Sequence, residues 1–178
     1  EQLSERDRAI LVEKHLMSPA LEEKLPYRNL VVSDDASIVI MVNEEDHLRI
    51  QSMVSGLKLE EAYKRVLKID KAIEAKYPYA FDERFGYLTA CPTNVGTGLR
   101  SSVMLHLPAL TISGKITRLI RSIIQLGYSV RGLYGEGSEA LGNIYQISNQ
   151  RTMGISEEDT IEQLTKVVEG IIAEERKS

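Results

Sequence analysis

The chain has 178 residues with 22 Lys and Arg against 26 Asp and Glu, so its formal net charge is −4. This length predicts one domain with an apolar core of its own, and the acidic balance disfavours nucleic-acid binding. No window approaches 18 consecutive apolar residues, which excludes a membrane-spanning helix. A single cysteine excludes a disulfide framework and suits a reducing cytoplasm. The first residue is Glu1 rather than Met, so we expect a piece of a longer protein.

The hydrophobic pattern alternates between helical and strand periodicity along the chain. In chain order it predicts a helix over residues 5–17 with Ser4 as cap, two strands within 38–54, a helix over 58–76, strands over 86–90 and 101–107, a helix over 115–126, a Gly-rich stretch over 130–141, a strand over 143–148 and a helix from Ser156 to the C-terminus. We therefore expect an α+β fold with a mainly antiparallel sheet flanked by helices. The apolar stripe of the last helix fits either core or interface, and core is favoured.

Three polar segments interrupt this pattern where charge is costly to bury unless it serves a purpose. Residues 43–49 (NEEDHLR) hold three carboxylates and a guanidinium. Residues 91–100 (CPTNVGTGLR) combine two glycines with an arginine, and residues 131–139 (RGLYGEGSE) combine an arginine with two acids. Each also has a plain interpretation: a solvated turn with a local ion pair, a β-turn and a surface loop, respectively.

Taken together, the three segments favour a phosphoryl-transfer site. Arg49, Arg100 and Arg131 each lie at or beside a predicted strand, and guanidinium groups suit phosphate in both charge and geometry. Glu45 and Glu136 are then placed to bind a cationic acceptor. Phosphoryl transfer needs charge neutralisation around the phosphates and a carboxylate that orients and deprotonates the nucleophile.

At these residues the chain resembles the guanidino kinase superfamily. Residues 43–49 and 91–100 are similar to its two signature motifs, and residues 131–136 to its specificity loop. The segments 131–143 (RGLYGEGSEALGN) and 98–108 (GLRSSVMLHLP) are similar to one branch, the bacterial protein-arginine kinases. The resemblance runs from about His15 to the last helix. It implies the fold of a guanidino kinase catalytic domain and ATP-dependent phosphorylation of arginine side chains in proteins.

The resemblance also implies individual roles. Glu45 matches the carboxylate that orients the guanidinium and accepts its proton, and Glu136 a second carboxylate that clamps it. The implied nucleotide-binding residues are His15 beside the adenine, Arg49, Arg100 and Arg131 around the phosphates, Ser101, Ser102, Val103 and Met104 along one strand, and Gly132, Leu133, Tyr134, Gly135 and Glu136 in the loop. For His15 the alternative is an ordinary residue of an amphipathic helix.

ATP and Mg²⁺ are the implied cofactors. The magnesium ion would be held mainly by phosphates and water, with Glu44 as an outer-shell partner, so no metal site built from protein ligands is expected. Met104 stands where free-arginine and creatine kinases have a histidine, which is consistent with the bacterial branch. Cys91 matches the reactive thiol of the free-guanidine kinases, and we do not expect it to be essential in the protein-kinase branch.

The resemblance further implies partners and location. The substrates are proteins that bear arginine, marked for degradation by a Clp protease, and a stress-gene repressor is one target. An activator protein, a homodimeric parent and a cytoplasmic location are expected, with neither nucleic acid nor membrane as partner. Residues 1–178 are expected to form a catalytic domain that lacks the family's upstream Ser-Ser-Arg-Ile-Arg segment and its downstream domain. Two alternatives stay open: a kinase of a free guanidino compound, and a non-catalytic phosphoarginine- or nucleotide-binding module.

Overall fold

The computed structural model describes residues 3–22, 26–132 and 141–178. The chain divides into two compact units, residues 1–79 and residues 80–178, and each is described by itself. Both combine antiparallel strands with helices, so the predicted α+β class with antiparallel pairing is confirmed. In the part of the chain that the structure describes, no helix is both long and apolar enough to cross a bilayer.

The described residues of the first unit form three helices and a three-stranded antiparallel sheet of order β1-β2-β3. Its elements are α1 (Glu5–Glu13), α2 (Pro19–Glu22), β1 (Asn29–Val32), β2 (Ile38–Val42), β3 (Leu48–Ser52) and α3 (Leu59–Glu74). The predicted cap is confirmed, because the Ser4 hydroxyl accepts the Asp7 N–H at 3.1 Å while the Asp7 carboxylate accepts the Ser4 N–H at 3.3 Å. In the β1–β2 turn, hydrogen bonds from Ser33 and Ser37 lower the pKa of Asp35 to about 2.

The core of this unit lies between the sheet and the segment that follows α1. Leu16, Met17 and Leu21 pack with Val39 and Met41 of β2, and all five side chains are buried. The prediction of a helix over 5–17 was therefore too long. The main-chain N–H groups of Leu16 and Met17 both donate to the carbonyl of Leu11, which turns these two side chains into the core and ends the helix early.

The second unit is built on a three-stranded antiparallel sheet of order β6-β8-β7 and a separate two-stranded ribbon. Its elements are β4 (Phe81–Asp82), β5 (Gly86–Tyr87), a 3₁₀ turn (Pro92–Asn94), β6 (Ser102–His106), α4 (Pro108–Ile112), α5 (Ile116–Gln125), β7 (Tyr128–Gly132), a 3₁₀ turn (Leu141–Asn143), β8 (Ile144–Asn149) and α6 (Glu157–Lys177). Its core is the buried set Leu107, Leu110, Ile116, Ile123, Tyr128, Tyr145, Ile147, Ile161, Leu164, Val168 and Ile171.

Helix α6 shows how the apolar stripe of the sequence is used. The Ser156 hydroxyl caps its start by accepting the Asp159 N–H at 3.1 Å. Leu164 and Val168 are fully buried, so the stripe is core, as favoured from the sequence. Near its other end, the Glu175 carboxylate accepts the N–H groups of Ala109 and Leu110 at 2.8 and 3.0 Å, which caps α4 where the chain leaves β6.

Other boundaries differ from the sequence prediction. The strand expected over 86–90 comprises only Gly86–Tyr87, where Tyr87 pairs with Phe81 of β4 and also forms an isolated bridge with Gly96. Short elements that the pattern did not predict are α2, β1, β4, α4 and the two 3₁₀ turns. The Gly-rich stretch expected from residue 130 begins as strand β7, which carries the chain to Gly132.

Candidate functional site

The motif 43–49 spans the loop of a β-hairpin and the first two residues of β3; the sequence pattern had fitted either a hairpin or a strand with a broken end, and the structure has the hairpin. Val42 and Leu48 are the last paired residues, and the Asn43 N–H donates to the His47 carbonyl at 3.0 Å to close the loop. Asn43 has a φ of 55°, a conformation that asparagine tolerates better than most residues. Its side-chain amide donates to the Tyr27 carbonyl at 2.8 Å, which fixes the base of the loop.

Two adjacent carboxylates in this loop have different surroundings. The Glu44 side chain is 8% exposed; it contacts Arg49 Nη1 at 3.5 Å and accepts the Glu45 N–H at 3.1 Å. Glu45 is exposed, and its carboxylate forms no hydrogen bond or ion pair with the described residues. One carboxylate is thus engaged within the loop, whereas the other is available to a ligand.

Arg49 and His15 are brought to the same face of the first sheet. Arg49 lies opposite Met41 and Gln51 lies opposite Val39, so both β3 residues share the face of the buried β2 side chains. Gln51 Nε2 donates to the His15 carbonyl at 2.7 Å, and Gln51 is two residues, about 7 Å, from Arg49 along the strand. His15 is exposed with a φ of 57°, beyond the end of α1. It is therefore a turn residue, and its predicted position on an amphipathic helix was wrong.

In the second unit, the motif 91–100 is a compact loop. Cys91 precedes the 3₁₀ turn, and its Sγ lies 2.9 Å from Thr93 Oγ1. Gly96 has a φ of 115°, and a Cβ there would lie 2.2 Å from the Thr152 carbonyl oxygen, so only glycine fits. Thr152 also donates its hydroxyl to the Val95 carbonyl at 2.7 Å and accepts the Thr97 N–H on its carbonyl at 2.9 Å.

Arg100 follows this loop immediately before β6. It is exposed, while its neighbours on both sides are held by Asn149. The Asn149 side chain accepts the Ser101 N–H at 2.7 Å and donates to the Leu99 carbonyl at 3.1 Å. Ser101 and Asn149 are both buried. The main chain that carries Arg100 is thereby fixed.

The register of the second sheet places Met104, Gln146 and Arg131 in one row. Met104 is opposite Gln146, and Gln146 is opposite Arg131. Directly opposed residues lie on the same face, and strands are about 4.8 Å apart, so Met104 and Arg131 are about 10 Å apart across β8. Arg100, four residues before Met104, lies at a different level along the strands.

The remaining predicted residues occupy both faces of this sheet or lie outside the description. Ser102 Oγ is 2.8 Å from Ser148 Oγ on the face of Met104, whereas Val103 is opposite the buried Ile147 on the other face. Gly132 ends β7 and is buried. The predicted loop residues Leu133, Tyr134, Gly135 and Glu136 lie outside the described residues.

Arg49 is a described residue with donors left for an anionic ligand. No group of three or more His, Cys, Asp or Glu side chains among the described residues is arranged to hold a metal. Half of the Arg49 side chain is exposed, which leaves donors beyond its Glu44 contact for phosphate. Glu44 is engaged by Arg49, and its assignment as an outer-shell partner of magnesium stays a prediction.

Sequence reasoning did not identify Gln51 or Asn149, which bind the main chain beside predicted site residues. These three bonds join residues far apart in the chain: Gln51 to residue 15, and Asn149 to residues 99 and 101. Amide side chains are ordinary in strands and at strand ends, so no local pattern marks them. The Glu44–Arg49 pair, in contrast, was contained in the alternative interpretation of the motif as a turn with an ion pair.

Comparison with known proteins shows the family to which the chain belongs and several proteins that it resembles. The model of the ATP:guanido phosphotransferase C-terminal catalytic domain matches residues 1–178. The protein-arginine kinase of Syntrophomonas wolfei is 55% identical over 177 residues, which are 99% of this chain and 49% of that protein. That of Halalkalibacterium halodurans is 59% identical over 167 residues, 94% of this chain and 47% of that protein. The chain thus spans about half the length of the curated relatives it matches.

Solved structures agree on the fold. A duplicated taurocyamine kinase from Schistosoma mansoni, with bound transition state analog components, superposes with a TM-score of 0.85 at 30% identity, covering 99% of this chain and 26% of that chain. A lombricine kinase superposes with a TM-score of 0.83 at 27% identity, covering 98% of this chain and 52% of that chain. The predicted architecture is confirmed by these two similarities.

Proposed function

Because the chain belongs to the ATP:guanido phosphotransferase family, whose C-terminal catalytic domain it matches throughout, we propose that its parent protein transfers phosphate from ATP to arginine side chains of proteins. The relatives at 51–59% identity that carry the name protein-arginine kinase support this acceptor. The observation that carries the proposal is the hairpin loop 43–49, where Arg49 engages Glu44 and Glu45 stays available.

In this proposal, Arg49, Arg100 and Arg131 bind the phosphates of ATP. Magnesium, held by phosphates and water, supplies further charge neutralisation. Glu45 orients the acceptor guanidinium and takes one of its protons as the N–P bond forms and the bond from the γ-phosphorus to ADP breaks. Since free guanidinium has a pKa above about 12, proton loss is coupled to transfer rather than preceding it. Glu136 is proposed as the second carboxylate on the guanidinium.

A kinase of a free guanidino compound is the alternative with the same chemistry. The Gly-Ser-Glu-Ala segment that follows Glu136 is short, which suits the open approach that a protein side chain requires. A non-catalytic phosphoarginine- or nucleotide-binding module is the alternative from another class. The presence of Glu45, Glu136 and all three arginines argues against a decayed site.

The wider biology is proposed on the resemblance alone. Arginine phosphorylation would mark proteins for a Clp protease and act on a stress-gene repressor in the cytoplasm. An activator protein and a homodimeric parent belong to the same proposal.

The test is a kinase assay of the full-length protein with Mg-ATP and an arginine-rich model protein, read as acid-labile phosphate. Glu45→Gln keeps the size of the side chain but removes its charge and its basicity. We expect phosphate transfer to fall by at least about a hundredfold, since general-base catalysis contributes about 10²–10⁴-fold. ATP affinity, measured by titration calorimetry, should be unchanged.

Glu83→Gln is the matched control, because Glu83 is an exposed carboxylate in the β4–β5 turn with no described hydrogen bond or ion pair. It should leave transfer unchanged. Labelling of free arginine but of no protein would favour the free-guanidino kinase. A wild-type protein that binds Mg-ATP and labels neither acceptor would favour the binding module.

A further inference from the structure

Asn149, the last residue of β8, binds the main chain on both sides of Arg100. Its Oδ1 accepts the Ser101 N–H at 2.7 Å, its Nδ2 donates to the Leu99 carbonyl at 3.1 Å, and its own main-chain N–H donates to the Ser101 carbonyl at 3.3 Å. A third side-chain bond runs from Nδ2 to the Arg151 carbonyl at 3.0 Å. The side-chain amide therefore uses its oxygen and both of its donor hydrogens.

This set of bonds is distinct from ordinary sheet pairing. The β6–β8 ladder ends at the Ser102–Ser148 pair, so the amide of Asn149 extends the connection to the residues just before β6. Asn149 is 6% exposed and Ser101 is 8% exposed. Buried hydrogen bonds of this kind are costly to lose because water does not replace the missing partner.

The segment after Asn149 holds the rest of the motif loop from the same side. Thr152 bonds to the main chain of residues 93, 95 and 97. The guanidinium of Arg151 donates to the carbonyls of Met153 and Gly154 at 3.0 and 2.8 Å, which stabilises this segment itself. The loop 91–101 is thus bound along its length by residues 149–152.

Arg100 itself is exposed, so its own burial does not fix where its guanidinium points. The reach of its guanidinium depends on where its main chain lies. The bonds of Asn149 to Leu99 and Ser101 hold that main chain in place. Binding residues held by a rigid second set of hydrogen bonds lose less entropy when a ligand arrives.

We propose that Asn149 is a positioning residue for Arg100, holding its main chain so that the guanidinium meets the ATP phosphates without reordering. The inference rests on the proposed function, because it assumes that Arg100 binds phosphate. It adds a residue that touches neither ATP nor the acceptor and acts only through Arg100.

The experiment compares Asn149→Ala, Arg100→Ala and the double variant of the full-length protein. We expect Asn149→Ala to weaken Mg-ATP binding about tenfold by titration calorimetry, equal to about 1.4 kcal/mol. The KM for ATP should rise in parallel, while kcat at saturating ATP changes little. In the Arg100→Ala background, the same substitution should have almost no further effect on ATP affinity, since coupled residues are not additive.

Gln150→Ala is the matched control: Gln150 is exposed, adjacent to Asn149, and has no described side-chain hydrogen bond. If Asn149→Ala does not fold, Asn149→Asp takes its place. The aspartate has the same shape and accepts the Ser101 N–H, but it loses both donated bonds. Circular dichroism and the melting temperature establish that each measured variant is folded.

The outcomes separate the two proposals. Unchanged ATP affinity in a folded Asn149 variant, or a loss equally large with and without Arg100, would overturn the positioning role and leave the proposed function intact. A wild-type protein that fails to bind Mg-ATP would overturn the proposed function and this inference together.

Discussion

Glu44 and Glu45 are adjacent residues of the same type, yet the hairpin loop gives them different tasks. Glu44 is nearly buried and bonded to Arg49 and to the Glu45 N–H, whereas Glu45 is exposed. Neutralising Glu44 would free Arg49 to take other rotamers without removing its charge. The pair therefore separates positioning of a phosphate-binding guanidinium from the chemistry assigned to Glu45.

We expect Glu44→Gln to raise the KM for ATP by up to about fivefold while leaving kcat within about twofold. The magnitude follows from the 3.5 Å contact and the 47% exposure of the Arg49 side chain, since partly exposed ion pairs contribute up to about 1 kcal/mol. Steady-state kinetics with varied ATP measure the split. Glu61→Gln on α3, which breaks the pair with Arg65, is the control and should leave the KM unchanged. A large loss of kcat in Glu44→Gln would instead make Glu44 the base.

At the residue scale, the sequence predicted the local structure around Glu45 and Arg49 better than the local structure around His15. Around Glu45 and Arg49 the spacing fitted a hairpin or a strand with a broken end, and the structure has the hairpin. The spacing placed His15 on a helix, because nothing local indicates that Leu16 and Met17 turn into the core and end α1 at Glu13. Gln51, which holds the His15 carbonyl, was not identifiable for the same reason: the contact spans 36 residues.

Among the elements, the loop 91–101 shows how a glycine is required by packing as well as by conformation. Gly96 and Gly98 both have a positive φ, 115° and 62°. A Cβ on Gly96 would lie 2.2 Å from the Thr152 carbonyl oxygen, whereas the atom nearest to a Cβ on Gly98 would be the Asn94 carbonyl oxygen at 4.0 Å. The two substitutions to alanine therefore share a conformational cost and differ in a steric one.

We expect Gly98→Ala to lower the free energy of unfolding by about 1–2 kcal/mol, the cost of a left-handed non-glycine residue. Gly96→Ala should lower it by about 4 kcal/mol or more, because the overlap is with main chain that is itself hydrogen-bonded. Urea unfolding followed by circular dichroism measures both variants. Equal losses would show that the Thr152 carbonyl moves aside and that residues 149–152 do not hold the loop rigidly.

The elements that the sequence predicted well are long and periodic, such as α3, α5 and α6. Those it missed are short: β1 has four residues, β4 has two and α4 has five. α4 depends on the Glu175 carboxylate from the far end of the chain, and β4 on its pairing with β5. Such elements are stabilised by tertiary contacts rather than by local propensity, so periodicity does not reveal them.

For the molecule as a whole, the proposed function was inferred from the resemblance of its motifs to a known family, and not from periodicity or composition. The net charge and the α+β pattern fit many soluble enzymes. The motifs 43–49 and 91–100 narrowed this to one family, and the family match over residues 1–178 confirms it. The proposed convergence of Arg49, Arg100 and Arg131 on one ligand stays a prediction.

The final prediction concerns the chain length that activity requires. The chain spans about half the length of the curated relatives it matches, and the family resemblance implies a phosphate-binding Ser-Ser-Arg-Ile-Arg segment that residues 1–178 do not contain. With only three of the proposed arginines, the 178-residue chain should bind Mg-ATP more weakly than the full-length protein and transfer no measurable phosphate to an arginine-rich protein. Phosphate transfer needs charge neutralised on every side of the γ-phosphoryl group, so a partial set of arginines lowers kcat as well as affinity.

The same acid-labile phosphate assay and calorimetry compare the two lengths, with the full-length Glu45→Gln variant as the inactive reference. Equal activity of the two lengths would show that residues 1–178 hold all the groups that catalysis uses, and would contradict the need for further phosphate-binding arginines. If the short chain binds Mg-ATP and Asn149→Ala weakens that binding, the Arg100 region works independently of the rest of the protein. ATP binding would then need only residues 1–178, whereas phosphate transfer would need the full-length protein.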